Sequence, residues 1–152
     1  MPVKTTGPQE DALLIGSWFS VEIDGHVTGP AYFTEASGLA VEMEVVEWTD
    51  SAKDTRSRKR PGTAKYGDIT LKRPLSPEKS FWTWAKSIRD GTKDFRSSGS
   101  IVMFDIGGTE VGRWTFSSAW PSKWSASDLD VGSDEVMTEE ITLAIEMLTR
   151  TK

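Results

Sequence analysis

The chain has no cysteine and a single histidine, His26, among its 152 residues. Without cysteine there is no disulfide framework and no thiolate metal site. A lone imidazole excludes a histidine metal cluster and a pair of catalytic imidazoles. No run of about 18 apolar residues is present, the length a membrane-spanning helix needs. The opening Met1-Pro2-Val3-Lys4-Thr5-Thr6-Gly7-Pro8-Gln9-Glu10 lacks the apolar stretch of a signal peptide. These absences predict synthesis in a bacterial cytoplasm without a signal peptide. A positive balance is missing too: the formal net charge is −5, which argues against nucleic-acid binding by the surface as a whole.

Catalytic motifs are equally scarce. Gly107-Gly108 has neither the lysine nor the following helix of a phosphate-cradling loop. No Gly-x-Ser-x-Gly elbow occurs. Glu139 and Glu140 are adjacent, and neighbours in a strand point to opposite faces. Glu42 and Glu44 share a strand face and could be compared with a glycosidase pair, but a solvated strand face accounts for them more simply. His26 follows Asp24-Gly25 and reads as an exposed turn residue. The seven tryptophans read as core and subunit-interface residues, since Trp82 and Trp84 are two apart on a helix and share no face. No enzyme activity, cofactor or metal site is expected.

What the chain does contain is alternation. The length suits one domain over 1–152, with residues 1–10 as a flexible arm. Phe19, Val21 and Ile23 share one face of a strand that ends at the Asp24-Gly25 turn. Tyr32 to Gly38 forms another short strand. Ser76-Pro77-Glu78 opens a helix over about 78–89, with Ser76 as cap and Phe81, Trp84, Ala85 and Ile88 on its apolar side. Two strands flank the glycine turn 106–109, and Trp120-Pro121 is expected to break the second of them. Ile141, Leu143, Ile145 and Met147 alternate along a last strand. About seven strands and one helix make a mainly β fold: a β-sandwich or barrel with a helix over one end or face.

The most informative stretch is a long charged hairpin over about 41–73. Its first arm, Val41 to Trp48, carries Glu42, Glu44 and Glu47. A basic loop with Lys53, Arg56, Arg58, Lys59 and Arg60 follows, then a Pro61-Gly62 turn, then a strand from Tyr66 with Ile69 and Leu71 inward. Opposite charges on arm and tip suit the joining of one subunit to another, with pairing that sets register. The expected interface residues are Glu42, Glu44, Glu47, Arg56, Arg58, Lys59, Arg60, Lys65 and Tyr66. A monomeric binding module that uses the basic loop on an anionic ligand is the reading from another class, but no aromatic lies between Thr49 and Thr63 to stack bases.

The order of several blocks resembles the contractile-tail inner tube proteins of phages and extracellular injection systems. The blocks are Phe19 to Gly25, Phe33 to Leu39, Arg58 to Gly62, Lys65 to Arg73, Phe81-Trp82-Thr83-Trp84 and Arg113 to Trp124. The sequence departs from the family at Pro74, where a glycine is expected, and its basic run is heavier. The resemblance implies a tail-tube-like sandwich that forms hexameric rings, stacked into a hollow tube whose lumen is lined by strands of six subunits. The implied partners are further copies of the chain, a contractile sheath protein, baseplate or hub and tube-cap proteins, and protein cargo in the lumen. The implied setting is a phage tail-like particle that delivers effectors, or the DNA-conducting tail of a contractile phage.

Overall fold

A computed structural model describes residues 18–49, 52, 55–93, 95–129, 132 and 136–152. The arm expected over 1–10, and Lys53 of the basic run, lie outside the described residues. The elements run β1 (Trp18–Ile23), β2 (Val27–Tyr32), β3 (Glu35–Ser37), β4 (Val41–Trp48), β5 (Arg58–Tyr66), β6 (Ile69–Pro74), α1 (Ser80–Arg89), β7 (Ser97–Phe104), β8 (Glu110–Ala126), β9 (Thr138–Ala144) and β10 (Met147–Arg150). The mainly β, one-helix fold expected from the alternation is present.

Strand β8 organises the molecule. Its first half pairs with β7 on one side and β10 on the other, and its second half pairs with β9. The hydrogen-bonded order β2-β1-β7-β8-β9-β6-β3 therefore folds into two layers that share one strand. The expected break at Trp120-Pro121 does not occur. Pro121 sits opposite Leu143 where the register shifts before Lys123, and a bulge is where a ladder tolerates proline. Ser118 just before it adopts φ 54°, the one described non-glycine residue in the left-handed region.

Between the layers lie Val21, Ile23, Ile69, Leu71, Ile101, Phe116, Ala119, Ile141 and Leu143, all buried. Phe81 and Trp84 of α1 close this core, and Trp84 Nε1 donates to the carbonyl of Phe95 at 2.8 Å. His26 is not the exposed turn residue expected. Its ring stacks on Trp84 with centroids 4.4 Å apart, and burial pushes its pKa down. The helix begins later than expected, at Ser80, and Ser76 does not cap it. Instead the Glu78 carboxylate accepts from the Ser80 N–H at 2.8 Å, filling the role of cap. The last strand also ends early. β9 stops at Ala144, and after a break β10 pairs with the first half of β8, so Met147 is exposed rather than in the core.

Arg73 is the polar exception inside. Its guanidinium bonds buried Glu139 and reaches Glu78 at 2.8 Å, while lying 4.3 Å over the Phe81 ring. Trp124 Nε1 donates to the other Glu139 oxygen at 3.3 Å. The cluster ties β6, β8 and β9 to the start of α1.

Candidate assembly interface

Strands β4 and β5 pair only with each other, as a two-stranded sheet apart from the sandwich. The ladder formed by β3 and β6 leads into this hairpin. The outgoing chain leaves β3 through Gly38-Leu39-Ala40, and the return enters β6 through Gly67-Asp68, with Gly67 N donating to Ala40 O at 3.0 Å. Gly38 makes the crossing possible: it holds φ +84°, and a Cβ there would fall 1.9 Å from the Asp68 carbonyl oxygen. Gly38→Ala is therefore expected to cost about 2–3 kcal/mol from left-handed strain and the clash, read as a drop of about 5–10 °C in Tm.

The pairing register differs from the sequence expectation. The Pro61-Gly62 pair is not a turn but part of β5, and Arg58, Lys59 and Arg60 belong to that strand rather than to a tip. Lys65 stands opposite Glu42, Lys59 opposite Glu47, Arg60 opposite Val46, Arg58 opposite Trp48 and Tyr66 opposite Val41. A register shift between Met43 and Val45 accommodates Gly62 beside Glu44, where a Cβ would meet the Val46 and Glu44 side chains at 3.1 and 3.2 Å. Lys59 Nζ lies 3.7 Å from Glu47, and Arg60 sits 5.9 Å from the Trp48 ring centroid. Arg56 lies ahead of β5 and is exposed. Of the residues expected at an interface, Glu42 and Lys65, and Glu47 and Lys59, are thus opposite each other within one hairpin, and all but Tyr66 are exposed.

The register creates two unlike faces. One carries Glu42, Glu44, Val46 and Trp48 with Lys65, Arg60 and Arg58. The other carries Val41, Met43 and Val45 with Tyr66, Ala64 and Pro61, closed at its end by the Glu47–Lys59 pair. Val41, Met43 and Val45 are 52%, 53% and 59% exposed. Sequence reasoning did not mark these three as a site. The available signal was that the residues opposite them are apolar too.

A two-stranded hairpin alone is marginal in water, and contiguous exposed apolar residues mark interaction surfaces. Chemically, the face offers apolar surface for burial. Among the described residues no group of three or more His, Cys, Asp or Glu could hold a metal ion, and no helix is long and apolar enough to cross a membrane.

Comparison with known proteins gives this arrangement a context. A chain of the anti-feeding prophage cap that terminates the tube superposes with a TM-score of 0.80 at 23% identity, covering 99% of each chain. A chain of the sheath-tube complex of the PVC extracellular contractile injection system, in its extended state, gives 0.77 at 24%, covering 94% of this chain and 93% of that one. A chain of the 6-fold symmetrised anti-feeding prophage baseplate gives 0.78 at 20%, covering 91% and 95%. These likenesses establish the fold. No curated protein sequence matches the chain. The profile of the T4-like virus tail tube protein gp19 family matches residues 16–149, so the chain belongs to that tail tube family.

Proposed function

We propose that this chain is the inner tube subunit of a contractile injection system, built into hexameric rings that stack within a contractile sheath and deliver protein effectors. The observation that carries the reading is the β4–β5 hairpin, which extends from a tail-tube fold with an apolar face that its own chain leaves uncovered. A neighbouring copy supplies the cover. The open edges of the layers, β2 and β10 in one and β3 in the other, also gain partners when copies close into a ring. Rings require a heterologous interface that closes, and stacking requires a second that does not.

The similar chains support the injection-system setting, because they come from a sheath-tube complex, a 6-fold baseplate and a tube cap. Sheath, baseplate and cap proteins are accordingly the proposed partners, with a phage tail-like particle as the location and neither catalysis nor a cofactor involved. A phage tail tube that conducts DNA is the second reading, favoured by the T4-like virus family to which the chain belongs.

Electron microscopy of the purified full chain at high concentration tests the assembly: rings or tubes are expected, and protein that stays monomeric overturns it. The interface role of Arg58, Lys59 and Arg60 has its own test. Changing all three to glutamate sets like charge against Glu47 and its neighbours, each such pair costing about 0.2–1 kcal/mol. Assembly weakened about tenfold with Tm lowered by no more than about 2–4 °C is the expected result, whereas normal tubes would remove these residues from the interface.

A further inference from the structure

We infer that Ile106, at the tip of the loop between β7 and β8, is the knob with which one copy of this chain covers the apolar β4–β5 face of another; the contact rests on the assembly reading and names the residue that does the covering. Ile106 is 93% exposed. A single exposed apolar residue is ordinary on a surface, but this one sits where turn formers belong. Its loop is otherwise Asp105, Gly107, Gly108 and Thr109. The loop is also fixed. Asp105 N donates to Thr109 O at 3.0 Å, Gly108 N to Asp105 O at 3.0 Å, and Thr109 N to Asp105 Oδ1 at 2.8 Å. At its foot Phe104 stacks on Trp18 with centroids 4.1 Å apart. Ile106 therefore stands on a preorganised support, and burying it against a partner orders little else.

The receiving face is Val41, Met43 and Val45 with Tyr66, Ala64 and Pro61, uncharged except at its Glu47–Lys59 end. Charge decides what suits it. Exposed Trp82 shares a helix stripe with Lys79, Lys86 and Arg89, and exposed Met147 follows exposed Glu146. Either would bring charge onto an uncharged surface, at a cost in desolvation. Ile106 does not. Residues 106–109 hold no charge, and the Asp105 carboxylate turns back to bond Thr109. Knob and face also lie apart in the single chain. The β7–β8 ladder runs from Ser97 opposite Ala119 to Phe104 opposite Glu110. The loop is therefore about nine residues, roughly 30 Å, along β8 from Ala119. The hairpin returns into β6 at Ile69, whose partner Leu143 stands opposite Pro121, close to Ala119. Its base thus lies where β8 passes between the layers, and Ile106 lies at the far end of the first half of β8. Both surfaces stay uncovered within one chain. Joining them pairs unlike surfaces, a contact that repeats from copy to copy.

The full chain, at a concentration where the wild type assembles, tests the contact. Ile106→Asp should lower the assembled fraction about tenfold or more by sedimentation, with Tm unchanged because the side chain is exposed in the single chain. Ile106→Leu, which keeps an apolar tip, should assemble like the wild type. A cross-link then locates the partner surface. The chain has no cysteine, so Ile106→Cys in one variant and Met43→Cys in another introduce the only thiols. When an equimolar mixture of the two is assembled and oxidised with copper phenanthroline, nearly all the cross-linked product should be the mixed dimer by mass. Normal assembly of Ile106→Asp overturns the contact and leaves the assembly reading intact. So does an assembled mixture that yields no cross-link, or homodimers in statistical proportion. A wild type that never assembles overturns that reading and the contact with it.

Discussion

Replacing Met43 and Val45 together by aspartate is expected to abolish ring and tube formation and to leave the sandwich folded. Both side chains are more than half exposed in the single chain and neither belongs to its core. Folding therefore loses almost no burial when they change. Assembly is different, because the apolar face of β4–β5 must then take two carboxylates out of water with no cation on that face beyond Lys59, which Glu47 already engages. Desolvating an ion costs several kcal/mol even after relaxation, and about 3 kcal/mol is already more than a hundredfold in association. The effect should exceed that of reversing Arg58, Lys59 and Arg60, whose charges lie across from acidic and apolar partners within the hairpin and remain hydrated. Sedimentation and negative-stain microscopy read the loss, and a thermal melt by circular dichroism reads the fold. Tubes of normal length from this double variant would mean that the hairpin's apolar face touches no neighbour.

The core was legible because its signal is local. Val21 and Ile23, Ile69 and Leu71, and Ile141 and Leu143 sit two apart, and the period of a strand brings each pair inward. The helix was legible on its buried side for the same kind of reason, although its first turn was not. Ser76 and Pro77 carry the usual signs of a helix start, yet Glu78, held by Arg73 from β6, takes over the cap, a role that only the contact between two elements assigns. The hairpin was half legible. Its alternation and charge were plain, but Pro61-Gly62 looks like a turn unless a bulge opposite Glu44 absorbs it, and only pairing reveals a bulge. Trp120-Pro121 misleads in the same way. Least legible was the buried pair of Arg73 and Glu139. Each sits beside a like charge, Lys72 or Glu140, in an otherwise ordinary strand, and their meeting depends on β6 and β9 lying side by side.

That pair carries the largest expected effect on stability. Arg73→Met keeps the volume and an apolar contact with Phe81 but leaves the Glu139 carboxylate buried, with Trp124 Nε1 as its remaining side-chain donor. Breaking a buried pair from one side costs about 3–5 kcal/mol, which corresponds to about 10 °C or more in Tm for a chain of this size. Arg73→Met combined with Glu139→Leu should recover most of that loss, since apolar groups of similar volume replace such a pair at little cost. If the combination is as unstable as the single change, the guanidinium matters for its contacts with Phe81 and Phe33 rather than for its charge. Glu78 separates the two contributions by pH. Burial pushes its carboxyl up, but hydrogen bonds from the Ser80 hydroxyl and N–H and the Arg73 guanidinium together hold it below its ordinary 4.5. Its contribution is therefore full above about pH 4.5 and is lost as pH falls through the lower folded value. In Arg73→Met the guanidinium's share of that shift disappears, so the decline of Tm in acid should become shallower than in the wild type. Equal slopes in the two proteins would show that Ser80 alone holds the Glu78 charge and that Arg73 secures the start of α1 through Glu139.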